Sequence, residues 1–420
     1  MNATTSKYRE PAREIPYLAE ADVVVAGGGM AGLCAAVAAA RNGASTLLVE
    51  RTGVLGGTAT TGLMTSFNGF RNERPPNTLQ TVRGLGEEVV HRLMNIGAAS
   101  GRTAHGDFGT LEKGNLPYAV GFDPEGLKRV ALQMCVEAGV RLLLFTWVAD
   151  VMRHSSRVTG VIVESKSGRR AVGAKIVVDA TGDGDVAASA GAEYQIADPE
   201  DPHLMALTLM LRLAGVRPER FRGNHLAIGQ TATLWGPGVS GVRADDVEGL
   251  TAAQAEAMRR VTALVENLRS EPGFEAAYLV QTAGHIGVRE GRLIRGLYTV
   301  TEEDAKAGRR FDDTIAISSN PVPGYYGERY FFDHEGFDIP YRAIVPKGVD
   351  GLILAGRCIS CEQVPFQSAR SMAPLMAHSQ ASGTAAAMCA AGDCEPRHLD
   401  VPALQTRLEE QGAVLRRSTT

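Results

Sequence analysis

Residues 21–32, Ala21-Asp22-Val23-Val24-Val25-Ala26-Gly27-Gly28-Gly29-Met30-Ala31-Gly32, decide the fold. A run rich in valine, 21–26, ends in three glycines and passes at once into an alanine-rich stretch, 30–42, which Gly43 closes. A second apolar run, 46–50, follows and ends on Glu50. Strand, tight turn, helix and strand in this order make a βαβ unit of about thirty residues. Within Gly27-x-Gly29-x-x-Gly32 each glycine meets a separate need. Gly27 permits the turn, Gly29 admits a pyrophosphate close to the backbone, and Gly32 lets the helix pack against the sheet. Met30 and Ala31 open the helix, whose unpaired N–H groups and dipole favour phosphate. Glu50 is placed to accept hydrogen bonds from a ribose, with Arg51 beside it.

Context makes this motif informative, since the spacing recurs at Gly236-x-Gly238-x-x-Gly241. That second match follows Trp235 rather than a strand, contains Pro237 and leads into no apolar helix, so it reads as a loop.

Outward from the βαβ unit, helical patterns cover 87–96 and 124–138, and strand-like runs cover 142–148, 158–164 and 175–180. From about 197 to 340 the text changes to Gly-, Pro- and Arg-rich loops around one amphipathic helix at 252–269. Strand-like sequence returns at 352–355, followed by a helix at 372–391. The expected organisation is an N-terminal extension (1–20), a dinucleotide domain in two pieces (21–196 and 341–395), an inserted substrate or cap region (197–340), and a C-terminal helix and tail (396–420). The fold class is α/β, a Rossmann-type three-layer ββα domain carrying an inserted mixed α+β domain.

Composition narrows the partners. Of 420 residues, 44% are hydrophobic and 21% charged, enough apolar material for one or two cores. Lys and Arg number 43 against 47 Asp and Glu, a net charge of −4 that gives no electrostatic reason for nucleic acid or an anionic membrane. A small-molecule partner is expected instead. The alanine-rich runs are too short and interrupted to span a bilayer, and 1–20 is polar with no signal-like apolar core, so a cytoplasmic setting is expected. Six scattered cysteines argue for reduced thiols. Cys358 and Cys361 form a C-x-x-C with no second pair and no histidine at zinc-finger spacing, so no metal is expected.

Five separated motifs resemble the FAD-dependent oxidoreductases of the glutathione-reductase-like, two-dinucleotide-binding-domain superfamily, with a distant likeness to fumarate reductase flavoproteins. They are Gly27 to Gly32 with Glu50-Arg51; Leu55-Gly56-Gly57-Thr58; Val178-Asp179-Ala180-Thr181-Gly182-Asp183-Gly184-Asp185; Ile286-Gly287-Val288-Arg289-Glu290-Gly291-Arg292; and Leu354-Ala355-Gly356-Arg357-Cys358-Ile359-Ser360. The resemblance runs from about Ala21 to Ala391 and implies FAD. It places Gly56, Gly57 and Thr58 near the flavin, Ala180, Thr181, Gly182 and Asp183 by the nucleotide, and Val148 with its backbone toward the adenine. Gly356-Arg357 and the segment from Arg370 through Ser371 and Met372 would close over the flavin end. No cysteine lies between Arg51 and Ile96, which excludes the disulfide-reductase branch, and Val54-Leu55 stands where a covalent histidine link would sit, so the FAD is expected to be non-covalent.

The acid/base candidates are His285, His334, Tyr341 and Glu362, while Arg289, Arg292 and Arg370 are candidates for holding a carboxylate or the FAD phosphates. The leading expectation is a dehydrogenase or oxidase that moves a hydride between flavin N5 and a small polar organic substrate, carboxylates among them. Two alternatives stand beside it: a monooxygenase using NAD(P)H and O2, and a flavin-bearing electron-transfer subunit. The sequence leaves open the substrate, the reaction direction, the oligomeric state and the electron acceptor, whether O2, a quinone or a carrier protein.

Overall fold

The computed structural model describes residues 8–74, 79–103, 106–202, 204–220, 226–228, 231–322 and 329–415. Strand β1 (Tyr17–Ala26), helix α1 (Met30–Arg41) and strand β2 (Thr46–Val49) form the βαβ unit, with β1 and β2 parallel from Val23 opposite Thr46 to Ala26 opposite Val49. β1 begins four residues inside the expected N-terminal extension. Only Val23 to Ala26 are fully buried in it, so its exposed first half carries no apolar signature.

The next strands are β3 (Arg141–Leu143), β4 (Trp147–His154), β5 (Arg157–Ser165) and β6 (Gly168–Asp179), and the sheet runs β3-β2-β1-β6-β5-β4. The single strand expected over 142–148 is thus two strands on opposite edges of the sheet. Phe145, between them, adopts φ of 54°, which breaks an extended run. β6 serves three partners: its first half pairs antiparallel with β5, its length pairs parallel with β1, and its last residues, Val177 to Asp179, pair parallel with a strand from late in the chain.

The inserted region brings β7 (Leu211–Ala214), β8 (Leu226–Ile228), β9 (Thr231–Leu234), helix α2 (Val247–Leu268) and β10 (Tyr278–Thr282). The sheet order here is β8-β9-β7-β10, all antiparallel. α2 starts five residues before the expected position 252, because Asp246 caps it by accepting the Gly249 N–H at 3.0 Å. These elements enclose a second hydrophobic core that includes Leu211, Leu213, Ala257, Val261 and Ile286. The described residues of 293–340 do not join it. Ile294, Val300, Ile315 and Ile339 pack into the main core with β1, β2 and β6, so the expected inserted region is divided between two cores. The second glycine repeat lies in a loop as far as Pro237, then contributes a two-residue strand, Gly238–Val239.

The chain returns through β11 (Leu352–Leu354), parallel to the end of β6, and α3 (Met372–Gly392), a helix buried on nearly every side. α3 crosses α1 so closely that a Cβ at Gly383 would stand 2.0 Å from the Ala35 carbonyl oxygen. A final helix, α4 (Val401–Glu410), covers the end of the chain described. Among the described residues no helix is long and apolar enough to cross a membrane.

Candidate functional site

One cleft of about 440 Å³ runs from the β1–α1 turn to the inserted sheet. Its first wall is the glycine turn. Gly27 takes φ of 100° and donates to the Val49 carbonyl at 2.8 Å, and a Cβ there would sit 2.5 Å from the Ala180 oxygen. At Gly32 a Cβ would fall 1.8 Å from the Gly27 oxygen. Gly29 is different, because its Cβ position meets nothing within 4 Å. No side chain caps α1, so its first N–H groups open toward that space. A phosphate group fits there both sterically and electrostatically.

Two features hold the turn in place. Gly56 donates to the Gly28 carbonyl at 2.8 Å, forming a bridge in which a Gly57 Cβ would lie 2.9 Å from Gly29 Cα. The Glu50 carboxylate, 7% exposed, accepts the Gly28 N–H at 2.7 Å and the Thr52 N–H and hydroxyl at 2.7 and 2.8 Å. With three of about four acceptor sites used, the carboxylate keeps capacity for one more donor in the cleft that it lines. Arg51 stacks on Trp147, 5.1 Å from the ring centroid, and Val148 follows on the same wall.

Opposite stand Ala180, Thr181, Gly182 and Asp183. Asp179, with no exposed surface, shapes this turn by accepting Thr181 N–H and hydroxyl and the Ala187 N–H. Burial raises its pKa to about 6 against those three donors. Gly356 presses on α1, its Cβ position 2.9 Å from that of Ala31, and the Arg357 guanidinium pairs with Asp183 and donates to the Val288 carbonyl at 2.8 Å. Arg370, Ser371 and Met372 complete this side at the start of α3, where again no side chain caps the helix.

The inserted sheet closes the far end with Met210, Trp235, His285 and Arg289. The His285 Nε2 lies 3.2 Å from the Thr61 hydroxyl and its Nδ1 3.1 Å from the Ile286 carbonyl. Burial, then the charges of Arg51 and Arg357, lowers its pKa below the ordinary value. Arg289 donates to the Thr208 hydroxyl at 3.0 Å.

Three sequence candidates stand elsewhere. The Tyr341 phenol is buried and donates to the Pro396 carbonyl at 2.8 Å, bracing the start of the last helical segment. Glu362 is exposed and accepts the Glu302 N–H at 2.7 Å. Arg292 is drawn off the cleft lining by Asp185, 2.9 Å away, and by Tyr194, over which it stacks. His334 is likewise structural, bonded to Gly336 and Ala305. Sequence reasoning missed Thr61, Thr208, Met210, Trp235 and Asn320, which come from distant segments; only the close approach at Gly236, whose Cβ would sit 1.9 Å from the Leu209 oxygen, marks that stretch as constrained. Cys358 and Cys361 are buried with thiol pKa values raised by desolvation, and no metal-binding cluster of His, Cys, Asp or Glu exists among the described residues.

No protein of curated function matches this sequence. Among solved structures, p-nitrophenol 4-monooxygenase PnpA from Pseudomonas putida DLL-E4 is similar over 95% of this chain and 90% of its own, at 12% identity and a TM-score of 0.54. The myxobacterial chondrochloren halogenase CndH, an FAD-dependent halogenase, is similar over 93% and 79%, at 16% identity and a TM-score of 0.51. These likenesses are of fold. The family model described as FAD dependent oxidoreductase matches residues 22–233 and 227–408, nearly the whole span from β1 to α4. FAD thus fits the open Gly29 position, the uncapped start of α1 and the Glu50 acceptor, and the chain belongs to the FAD-dependent oxidoreductase family.

Proposed function

We propose that this enzyme is a flavin monooxygenase acting on a small organic molecule held between the FAD site and the inserted sheet. The observation that carries the reading is the chemistry of the cleft's far end. Its walls bring Met64, Met210 and Trp235 together with His285 and Arg289, while the carboxylates lining the cleft among the described residues, Glu50, Asp183 and Asp185, come from the segments that form its other walls. Oxygen transfer asks this end chiefly for apolar surface that seats the substrate beside the flavin. The likeness in fold to a monooxygenase and a halogenase supports the same reading.

When bound, FAD would supply the redox chemistry between NAD(P)H and O2. In the balanced reaction a substrate C–H, O2, NAD(P)H and a proton give the hydroxylated product, water and NAD(P)+. The residues of this chain bind and orient. Glu50, the start of α1 and Thr181 hold the nucleotide half; Arg357 and the start of α3 close over the flavin half; Met210 and Trp235 seat the substrate's apolar part. Tyr341, Glu362 and Arg292 act through the scaffold that supports these walls.

A second reading, hydride transfer between substrate and flavin, is favoured by one residue. His285 is the only histidine lining the cleft among the described residues, and burial keeps it neutral and able to accept a proton. The motif order supports placement in the two-dinucleotide-binding-domain superfamily, and a cytoplasmic setting agrees with both readings. The test is stopped-flow flavin reduction. Reduction by NADH or NADPH, followed by O2 consumption coupled to substrate, is the expected result. Anaerobic bleaching by a substrate without nicotinamide would replace the first reading with the second.

A further inference from the structure

Arg289 and Arg370 both line the cleft, and neither forms an ion pair among the described residues. Two other cleft arginines are ion-paired, Arg329 with Glu73 and Arg357 with Asp183, while Arg51 and Arg370 each lie over a ring, Trp147 at 5.1 Å and Phe366 at 5.8 Å from the centroid. Arg289 gives only Nη2, to the neutral Thr208 hydroxyl. Arg370 gives Nε to Gln367 Oε1 at 2.8 Å, and its Nη2 lies 3.0 Å from the Met205 sulfur. The Nη1 groups of both make no hydrogen bond to the described residues.

The nearest compensating acid is already occupied. Glu290, 6% exposed, accepts from Gln363 Nε2 at 2.7 Å, Gln367 Nε2 at 2.6 Å and Met205 N at 3.3 Å. Gln367 therefore connects Arg370 to Glu290 without bringing their charges together. Two cations and one carboxylate leave a net charge of about +1 recessed in the cleft wall, a costly arrangement without a counter-ion. Desolvation, with repulsion from Arg289 next, lowers the Arg370 pKa to about 10. Both guanidiniums stay charged near neutral pH and ask for an anion.

We propose that Arg289 and Arg370 form the anion-recognition subsite of this enzyme, and that its substrate carries a carboxylate on an apolar body. A planar guanidinium fork suits bidentate contact with a carboxylate. Met205, which touches Arg370, and Met210 and Trp235 offer apolar surface on the same cleft for the rest of the molecule. Gln367 is a positioning residue, fixing Arg370 Nε on the cleft wall and leaving Nη1 without a hydrogen bond to the described residues. The inference rests on the reading of this cleft as an FAD-dependent substrate site.

The test uses the protein as purified, with its FAD content measured first, and benzoate and its neutral isostere benzamide as probes in calorimetry. FAD content reports on the cofactor reading, and the ratio of the two affinities reports on the anion subsite. Benzoate is expected to bind at least about tenfold more tightly than benzamide, the ratio to fall toward one in Arg289→Gln and Arg370→Gln, and Arg370→Lys to keep part of it. Retained FAD and an unchanged benzamide affinity in the variants exclude misfolding. Equal affinities in the wild type, or no binding of either probe, would overturn the proposal. So would an Arg370→Gln protein that keeps the benzoate preference while its flavin potential falls, since the charge would then serve the reduced flavin.

Discussion

His285 Nε2 lies 3.2 Å from Thr61 Oγ1, across the seam between the inserted sheet and the glycine-rich half of the cleft. The same hydroxyl lies 2.9 Å from the Gly57 carbonyl, so its single proton serves one neighbour at a time. With Nδ1–H directed at the Ile286 carbonyl, the neutral ring accepts at Nε2 when Thr61 turns its proton away from the Gly57 carbonyl. Burial and the cations Arg51 and Arg357 hold the imidazole pKa below 6.5, so the ring stays neutral on the acid side of neutrality. If proton transfer at Nε2 contributes to turnover, the acid limb of kcat/KM falls below pH 6.5 in the wild type and is absent in His285→Gln. An acid limb unchanged in that variant assigns it to another group.

Gly29 and Gly32, three residues apart, separate function from folding. Gly29 has φ of −66°, which alanine adopts freely, and its Cβ would meet nothing within 4 Å. Gly29→Ala should leave the apo fold within about 1 kcal/mol of wild type and weaken FAD binding, since the added methyl points into the cleft. Gly32→Ala should cost roughly 1–3 kcal/mol of stability, because its methyl would overlap the Gly27 carbonyl 1.8 Å away. Urea unfolding of the apo forms and FAD titration read the two effects apart. Equal loss of stability in both variants would contradict the distinction.

The glycine turn was legible because its constraints are local: a Gly27 that must take positive φ and a Gly32 that must admit a carbonyl are written at fixed spacing beside a valine strand. The far end of the cleft was not. Thr61, Thr208, Trp235 and Asn320 share a wall only after strands far apart in sequence have packed, and nothing in their immediate neighbours announces it. Tyr341 and Glu362 illustrate the opposite error. Each is a chemically able side chain near a family-like motif, yet a carbonyl at Pro396 and an amide at Glu302 claim them, and partners 55 and 60 residues away leave no trace in the local text. The same holds for Arg292, which reads as equivalent to Arg289 until Asp185 takes it.

Glu50 should matter twice, for the ribose and for the turn. Its two oxygens accept from Gly28 and Thr52, so Glu50→Ala removes both a ligand acceptor and the anchor of the glycine loop. The expected loss is about 1.5–3 kcal/mol in FAD binding, roughly tenfold to a hundredfold. Glu50→Gln should rescue little, since its amide NH2 would face either the Gly28 or the Thr52 N–H, two donors opposed. FAD affinity in Glu50→Gln equal to wild type would show that neither backbone contact depends on the carboxylate.

Asp179 ties the stability of the cleft wall to pH. Its carboxyl has no exposed surface, and burial raises its pKa from 3.8 to about 6 even though Thr181 and Ala187 donate three hydrogen bonds to it. The folded state therefore binds the proton more tightly than the unfolded chain. Stability from this group is fully present below the unfolded value and is lost as pH rises through about 6. Asp179→Asn cannot titrate and places an NH2 among those donors, so it should destabilise at every pH. Its penalty should nevertheless be larger in acid, by on the order of 2 kcal/mol at about pH 4.5 compared with about pH 7. Urea unfolding of both proteins at the two pH values measures the difference. A penalty that grows toward neutral pH would mean that the three donors outweigh burial and that Asp179 is held ionised, its pKa below rather than above the unfolded value.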